Sequence, residues 1–345
     1  MRLQLHNLAR KPFNAVTPVG LFALAGVIAL ASFISTYSYA DALCITNQKL
    51  PSMGSFFEIQ IATNCAKKID SKVFTEIQTG LEQIESELSL YQTDSPINKL
   101  NRNQKLQLSK EPKSSGGHML TLLPLAMSTN QNTDGAFDIT ILPVLQLIQK
   151  SFQNKNRAPD NAELDQLKPL VDSSAIQFSS ENVTLNKKNM GVTFDGVAKG
   201  YAVDEVAKKL NKKGFQNFLL NFSGNMHWQG HKATKTPWKI ALWNPVAHSV
   251  LTIKADSKGA IASSGAENTH YSEDKKWHHI ISPKTLRPPN HWAQTSVSGL
   301  SAATCDALST AFFVLSESEI RKALKEHYPE YKAWGITPQN KVILF

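Results

Sequence analysis

Cysteine is scarce in this chain: three residues among 345. Cys44, Cys65 and Cys305 form no spacing that would bind zinc. No dense block of Lys and Arg carries interleaved aromatics, which argues against a nucleic-acid partner even though the formal net charge is +9. No segment repeats, so nothing suggests a solenoid or propeller. Neither a Walker loop nor a dinucleotide-binding fingerprint is present at its required spacing.

What is present begins with a leader-like pattern. Arg2, Arg10 and Lys11 precede an apolar run from about Val19 to Ile34, and Ser38-Tyr39-Ala40 offers a small-x-small site before Asp41. That order is the order of a secretory signal peptide. The charged part is long, so residues 1–40 read as a signal peptide or as an N-terminal membrane anchor, with the folded domain over 41–345. Asp41-Ala42-Leu43 is the wrong approach to Cys44 for lipid attachment. Cys44 and Cys65 flank a hairpin and either form a disulfide in an oxidising compartment or stay as two separate thiols. Cys305 is left over and expected to be buried. The cationic excess suits an anionic ligand.

Apolar spacing then predicts the elements. Phe56 to Ile61 alternates like a strand after a turn at Met53-Gly54-Ser55. Val73, Ile77, Leu81, Ile84 and Leu88 mark a helix from about Ser71 to Leu88. Asp94-Ser95-Pro96 caps a short helix reaching Asn101. His118 to Asn130 is a further helix, and Gln149 to Leu167 reads as a polar surface excursion. Strands are expected near 176–178, 183–185, 218–222, 238–243, 250–255, 260–263, 278–281 and 295–300, then an apolar helix from Ala303 to Leu315. The mixture reads as α+β, and the length as one domain with two lobes.

The chemistry starts with Val192 to Asp204, V-T-F-D-G-V-A-K-G-Y-A-V-D. Val192 to Phe194 reads as the end of a buried strand, Asp195-Gly196 breaks it, and a helix follows from Tyr201 to Leu210. A glycine turn before a helix N-terminus cradles anions, because its N–H groups point outward and the dipole favours negative charge. Read alone, it is also ordinary αβ architecture. Asp306 and Thr310 lie four apart on one helix face and are hard oxygen ligands of the kind magnesium takes beside phosphate. Each also has a bland role, Asp as a dipole partner and Thr as a back-bonded hydroxyl. His278 and His279 are adjacent on an expected strand, so one at most faces a site, where it would serve as general base. Asp138 and Asp195 sit among apolar neighbours and need partners, either a turn N–H or a ring N–H of a ligand. Met53 and Tyr91 stand beside turns, where flat ligands find apolar walls.

Taken in order, these stretches resemble one family. M-G-S at Met53, S-L-Y-x-x-x-S-x-x-N-x-L-N from Ser89, G-A-F-D-I-T-I-L-P from Gly135, D-G-V-A-K-G-Y-A-V-D from Asp195 and N-F-S-G-N from Asn221 are similar to successive motifs of the ApbE family, the FAD:protein FMN transferases. S-S-G from Ser263, H-H-I-I-S-P-K-T from His278 and D-A-L-S-T-A from Asp306 complete the series. The resemblance spans nearly the whole of residues 41–345.

The resemblance implies a single two-lobed, T-fold-related α+β domain with mainly antiparallel sheets and flanking helices. It implies magnesium-dependent transfer of FMN from FAD to a threonine hydroxyl of an exported or membrane flavoprotein, with release of AMP, in the periplasm or at the inner membrane. It implies metal ligation by Asp306, Thr310 and the carbonyl of Ala198, with Ser309 as an occasional further ligand. FAD contacts would be Met53, Tyr91, Ala136, Phe137, Asp138, Asp195, Tyr201 and Ile280, with Lys199 near the phosphates and His279 as base. Two alternatives keep the same site: an FAD pyrophosphatase, and an FAD-binding protein with impaired catalysis. Three departures mark this chain. The family's G-G-D/E is Ser223-Gly224-Asn225, I-D-P-x-T-G is Ile281-Ser282-Pro283-Lys284-Thr285-Leu286, and M-G-T is M-G-S. Loss of the turn glycine should alter the loop after His279.

Overall fold

Two ten-residue strands, β1 (Leu43–Ser52) and β2 (Ser55–Asn64), pair in register from Leu43↔Asn64 to Ser52↔Ser55. The structure, a computed structural model, describes residues 42–108, 116–233, 236–267 and 269–345; the candidate signal or anchor at 1–40 lies outside them, as does most of the loop after Leu108. Met53 and Gly54 form the two-residue turn with φ of +46° and +68°, the pair of positive values that matches the twist of a tight hairpin. Cys44 and Cys65 are joined in a disulfide at the hairpin's open end, so the paired alternative holds; Cys305 is free and buried.

Helix α1 (Ser71–Leu88) and helix α2 (Pro96–Asn103) follow, capped by Asp70 and Ser95. A small antiparallel sheet is built from β3 (Lys105–Gln107), β4 (Ile176–Phe178) and β5 (Asn182–Leu185), in the order β3-β5-β4. Between them run α3 (Gly117–Asn132), α4 (Leu142–Lys155) and the short α5 (Asn161–Asp165). The polar stretch after Gln149 is therefore less irregular than its composition suggests. Helix α4 continues to Lys155, and Asp160 and Glu163 close a capping box on α5.

Helix α6 (Ala198–Lys212) leads to β6 (Phe218–Phe222) and β7 (Asn225–Gln229), a second tight hairpin turned by Ser223 and Gly224 at φ +52° and +94°. A peripheral pair, β8 (His231–Ala233) and β9 (Thr236–Pro237), precedes the ribbon of β10 (Lys239–Asn244) and β11 (Ser249–Lys254). Then come β12 (Lys258–Gly265), β13 (Gln294–Gly299), α7 (Ala302–Val314), α8 (Glu317–His327), β14 (Lys332–Ile336) and β15 (Val342–Leu344). The main sheet has the order β1-β2-β6-β7-β12-β13-β14-β15, antiparallel throughout. Helices with a mainly antiparallel sheet make the α+β fold that the sequence predicts.

Both faces of this sheet are covered. Along β12, Ala260 and Ala262 enter the main core with α6 and α7, while Ile261 faces a second cluster with Trp228, Trp238 and Ile240. Phe57, Phe218 and Phe222 are fully buried, each contributing about 1.5–3 kcal/mol. A third cluster gathers Ile141, Val144, Ile148, Leu164, Ile281 and Leu286.

Two expected strands are not strands. Val192 and Phe194 are buried, but the segment joins no ladder. The Asn101 side chain takes its place: Val192 N–H donates to Asn101 Oδ1 (2.7 Å), Asn101 Nδ2 donates to the Val192 carbonyl (3.0 Å), and Thr193 N–H reaches the Ile139 carbonyl (2.8 Å). The helix after it begins at Ala198, three residues before the expected Tyr201. At 278–281 a lone bridge, His270↔His278, replaces the strand. Its backbone is satisfied locally, with Ile280 N–H donating to His278 Nδ1 (3.3 Å) and Ser282 N–H to the Arg287 carbonyl (3.0 Å). Strand β7 follows the Ser223-Gly224 turn; its N-M-H-W-Q alternates polar and apolar, and the polar Asn225 and His227 are buried.

Helices α6 and α7 lock each other. Asp204 of α6 accepts from Ala302 N–H (2.9 Å), Ala303 N–H (3.0 Å) and Ser301 Oγ (2.8 Å) at the start of α7, and from His227 Nδ1 (3.2 Å). Asp306 of α7 accepts from Gly200 N–H (2.9 Å) in the first turn of α6. Gly200 is required here by contact: a Cβ would stand 2.2 Å from the Ala302 carbonyl oxygen. Burial works to raise the Asp204 pKa, but the bonds from His227, Ala303, Ala302 and Ser301 prevail and hold it below its ordinary value.

Two stability measurements follow. A depressed carboxyl stabilises the fold above its ordinary value near 3.8, and that contribution is lost as pH falls through the lower, folded value. Asp204→Asn should cost about 2–4 kcal/mol at pH 7 in urea unfolding and flatten the acid limb of the stability profile; an unchanged midpoint contradicts the role. Leu286 holds φ +56° yet is only 2% exposed. Leu286→Gly removes about 1–2 kcal/mol of backbone strain but a buried side chain worth about 2–5 kcal/mol. A net loss of roughly 1–3 kcal/mol is expected, and a gain would show that strain dominates.

Candidate functional site

The start of α6 opens into a cleft of about 1330 Å³. One rim is made by the two hairpin turns, Met53-Gly54 and Ser223-Gly224, joined through Ser55 Oγ and Ser223 Oγ at 2.7 Å. Glu85 of α1 fixes the first turn, its Oε2 accepting from Met53 N–H at 2.7 Å. Asn221 fixes the second, its Oδ1 accepting from Gly224 N–H at 3.0 Å. The floor carries Ser263 and Ser264 of β12, and the far wall Tyr271, His279, Ile280 and Trp243.

Most of the residues singled out in the sequence line this cleft: Met53, Tyr91, Ala136, Phe137, Asp138, Asp195, Ala198, Lys199, His279, Ile280, Asp306 and Thr310. Tyr91 lies at the mouth, 97% exposed. Two do not line it. Tyr201 is buried in the main core instead, its hydroxyl 2.8 Å from His118 Nδ1 at the start of α3. Ser309 sits behind the wall, its Oγ 2.8 Å from Ser264 Oγ and donating to the Asp306 carbonyl at 2.9 Å.

Ala198 is bracketed by two close approaches of α7. A Cβ on Gly196 would stand 3.3 Å from Thr310 Oγ1, and one on Gly200 would stand 2.7 Å from Asp306 Cβ. The turn and the Asp-x-x-x-Thr face therefore pack against each other. Asp306 is 5% exposed. Burial raises its pKa to about 6, against the pull of Lys199 and the Gly200 N–H. Among the described residues no cluster of three His, Cys, Asp or Glu could hold a metal. A single buried carboxylate with spare lone pairs, a hydroxyl and a carbonyl still suit a hard cation whose other ligands are phosphate oxygens. The residues fit that group.

The adjacent histidines part company. His278 is fully buried: Nε2 donates to the Pro289 carbonyl (2.9 Å), Nδ1 accepts from Ile280 N–H, and the ring edge meets Phe313. Desolvation pushes its pKa down to about 4, so it is a neutral structural group. His279 faces the cleft. Its Nδ1 donates to the Thr269 carbonyl (3.1 Å), which selects the tautomer with a lone pair on Nε2. Desolvation lowers its pKa and the Lys199 charge adds to that, while the Thr269 bond and Asp195 oppose. The imidazole is neutral at pH 7.

Asp138 meets the bland expectation. Oδ1 accepts from Thr140 N–H (2.8 Å), Thr140 Oγ1 (2.6 Å) and Ser173 Oγ (2.6 Å), and Oδ2 from Asn130 Nδ2 and Ser173 N–H (both 3.3 Å). Asp195 is exposed at the cleft edge. Sequence reasoning missed Glu85 and Trp243, and held Ser264 only as the middle of the S-S-G motif. Glu85 stands beside the apolar stripe of α1, four residues after Leu81, which was its one local hint. The altered I-S-P-K-T-L loop keeps a tight turn: Leu286 N–H donates to the Ser282 carbonyl (2.8 Å), Ser282 Oγ accepts from Thr285 N–H (3.4 Å), and Leu286 itself takes the left-handed conformation.

A raised carboxyl pKa has a sign. Asp306 favours the fold below its unfolded value, and that contribution is lost as pH rises through about 6. Ligand-free Asp306→Asn should therefore be more stable than wild type at pH 8, by roughly 1–3 kcal/mol, and should lose the advantage only as pH falls toward the ordinary carboxyl value of 3.8. Equal melting temperatures at pH 8 would contradict the buried charge.

Comparison with known proteins places this geometry. The ApbE family model matches residues 53–334. An FAD:protein FMN transferase of Haemophilus influenzae is 27% identical over 307 residues, 86% of this chain and 88% of that one. One from Vibrio cholerae is 28% identical over 274 residues, 77% and 80%. Among solved structures, the flavin transferase ApbE from Vibrio cholerae has a TM-score of 0.74 at 24% identity, covering 88% of this chain and 97% of that one. The ApbE protein from Thermotoga maritima has a TM-score of 0.74 at 22% identity, covering 87% and 97%. At those identities the structural likeness is one of fold, and the family match spans most of the sequence. The chain belongs to the ApbE family.

Proposed function

We propose that this enzyme transfers FMN from FAD to a threonine hydroxyl of another exported protein, with magnesium as its cation. The observation that carries the reading is the meeting, in one cleft, of a helix N-terminus, the Asp306–Thr310 face, Lys199 and a neutral His279 with a free Nε2. The cleft's volume suits a dinucleotide better than a smaller ligand.

Asp306, Thr310 and the Ala198 carbonyl would hold the cation, and Ser309, behind the wall, would support them through Ser264. When bound, magnesium supplies charge neutralisation at the diphosphate. Lys199 orients the phosphates from the first turn of α6, where the Ala198 and Gly200 N–H groups are already given to the Phe194 carbonyl and Asp306. His279 Nε2 takes the proton from the acceptor hydroxyl. The threonine oxygen bonds to the phosphorus of the FMN half as that phosphorus releases the oxygen carried away by AMP. Met53, Tyr91, Phe137, Asp195 and Ile280 would border the two ring systems. The Cys44–Cys65 disulfide suits an oxidising compartment. With the leader-like first forty residues, it supports a periplasmic domain that is either free or anchored to the inner membrane.

Incubation with FAD, magnesium and a threonine-bearing candidate flavoprotein should add an FMN-sized mass to the acceptor and a fluorescent band in a denaturing gel. Asp306→Ala or chelation should reduce this by at least about 100-fold. Sustained AMP release with no acceptor would favour an FAD pyrophosphatase, and FAD binding with neither product would favour an impaired binding protein. The rate should fall in acid as His279 gains charge, and below the ordinary imidazole range, because burial and Lys199 lower its pKa. An acid limb left unchanged by His279→Gln would remove the imidazole from the mechanism.

A further inference from the structure

Six buried side-chain polar atoms have no hydrogen-bond partner among the described residues: Ser52 Oγ, Gln78 Oε1, Gln104 Oε1, Thr129 Oγ1, Asn225 Oδ1 and His227 Nε2. Asn225 alone of these lines the cleft. It is 3% exposed. A buried amide oxygen left unpaired destabilises the ligand-free fold, so something at this position outweighs that cost.

The residue is also rigidly presented. It opens β7 directly after the Ser223-Gly224 turn and pairs with Phe222 across the hairpin. Asn221 Oδ1 holds Gly224 N–H, Asn221 Nδ2 donates to Glu58 Oε2 (3.1 Å), and Ser223 is tied to Ser55. Strand alternation puts Asn225 on the same face as His227, which is the face that meets α6 through Asp204. A fixed backbone with an unanswered acceptor on a residue that lines a ligand cleft is the arrangement of a recognition group.

We propose that Asn225 is a specificity-determining residue: its side-chain oxygen accepts a hydrogen bond from one N–H or O–H group of the bound dinucleotide. The inference rests on the reading of the cleft as an FAD site and names one contact within it.

The test is equilibrium binding of FAD, FMN and AMP to the full-length protein, for wild type, Asn225→Ala and Asn225→Leu, with melting temperatures of the ligand-free proteins. Leucine keeps the volume and removes the acceptor. Both variants should bind FAD about tenfold more weakly. The loss should be shared by only one of FMN and AMP, the half that carries the donor. Asn225→Leu should melt no lower than wild type, since it removes an unpaired buried oxygen. FAD affinity within twofold of wild type in both variants overturns the inference and leaves the cleft's reading intact. Equal losses for FMN and AMP with a lowered melting temperature overturn it as well, by showing a packing role. No FAD binding by the wild type overturns both.

Discussion

Two buried aspartates exchanged between α6 and α7 hold this structure together at the point where it acts. Asp204 lies at the N-terminus of α7, and Asp306 lies at the N-terminus of α6. Each carboxylate meets the positive end of the other's helix. Their surroundings then drive them apart. Asp204 accepts four hydrogen bonds and is held below its ordinary pKa. Asp306 accepts one from Gly200 and is raised to about 6. The first is spent on structure. The second keeps lone pairs free, and two similar groups with opposite shifts have different work to do.

The rest of the cleft is arranged around that difference. Packing α7 against Gly196 and Gly200 leaves Ala198 between Thr310 and Asp306. Lys199, next in the chain, is close enough to oppose the Asp306 shift and to add to that of His279. Thr269 sets the His279 tautomer from a separate loop. On the opposite rim, Glu85 and Asn221 clamp two hairpin turns whose backbones would otherwise be free to move. The order of site residues in the chain is thus a record of which elements pack together, and α6–α7 contact sets their spacing.

Much of this was legible in the sequence, for identifiable reasons. Helix α1 was read to its ends because Val73, Ile77, Leu81, Ile84 and Leu88 keep one period along it; the Asp70 cap came from the structure. The cleft residues were named by motif order, which says which residues matter and nothing about where they point; Tyr201 faces His118 for that reason. Val192 to Phe194 looked like a strand because burial and β-branched residues are shared by strands and by extended segments. What distinguishes them is Asn101, 91 residues earlier. His278 to Ile281 failed similarly, since its partners are a side-chain nitrogen and an irregular loop. The Asp204–His227 contact spans 23 residues, with no local signature in either residue. Leu286 shows a positive φ where no residue type announces it, tolerated because its side chain fills the third apolar cluster.

The central claim is that α6–α7 packing leaves Asp306, Thr310 and the Ala198 carbonyl as one oxygen-lined cation site beside the phosphates. A crystal of the protein with FAD and Mn2+, measured at the manganese edge, tests it directly. The account predicts one anomalous peak within about 2.5 Å of oxygens from Asp306 and Thr310, in contact with the diphosphate. A peak elsewhere in the cleft, or bound FAD with no peak between those residues, would contradict it.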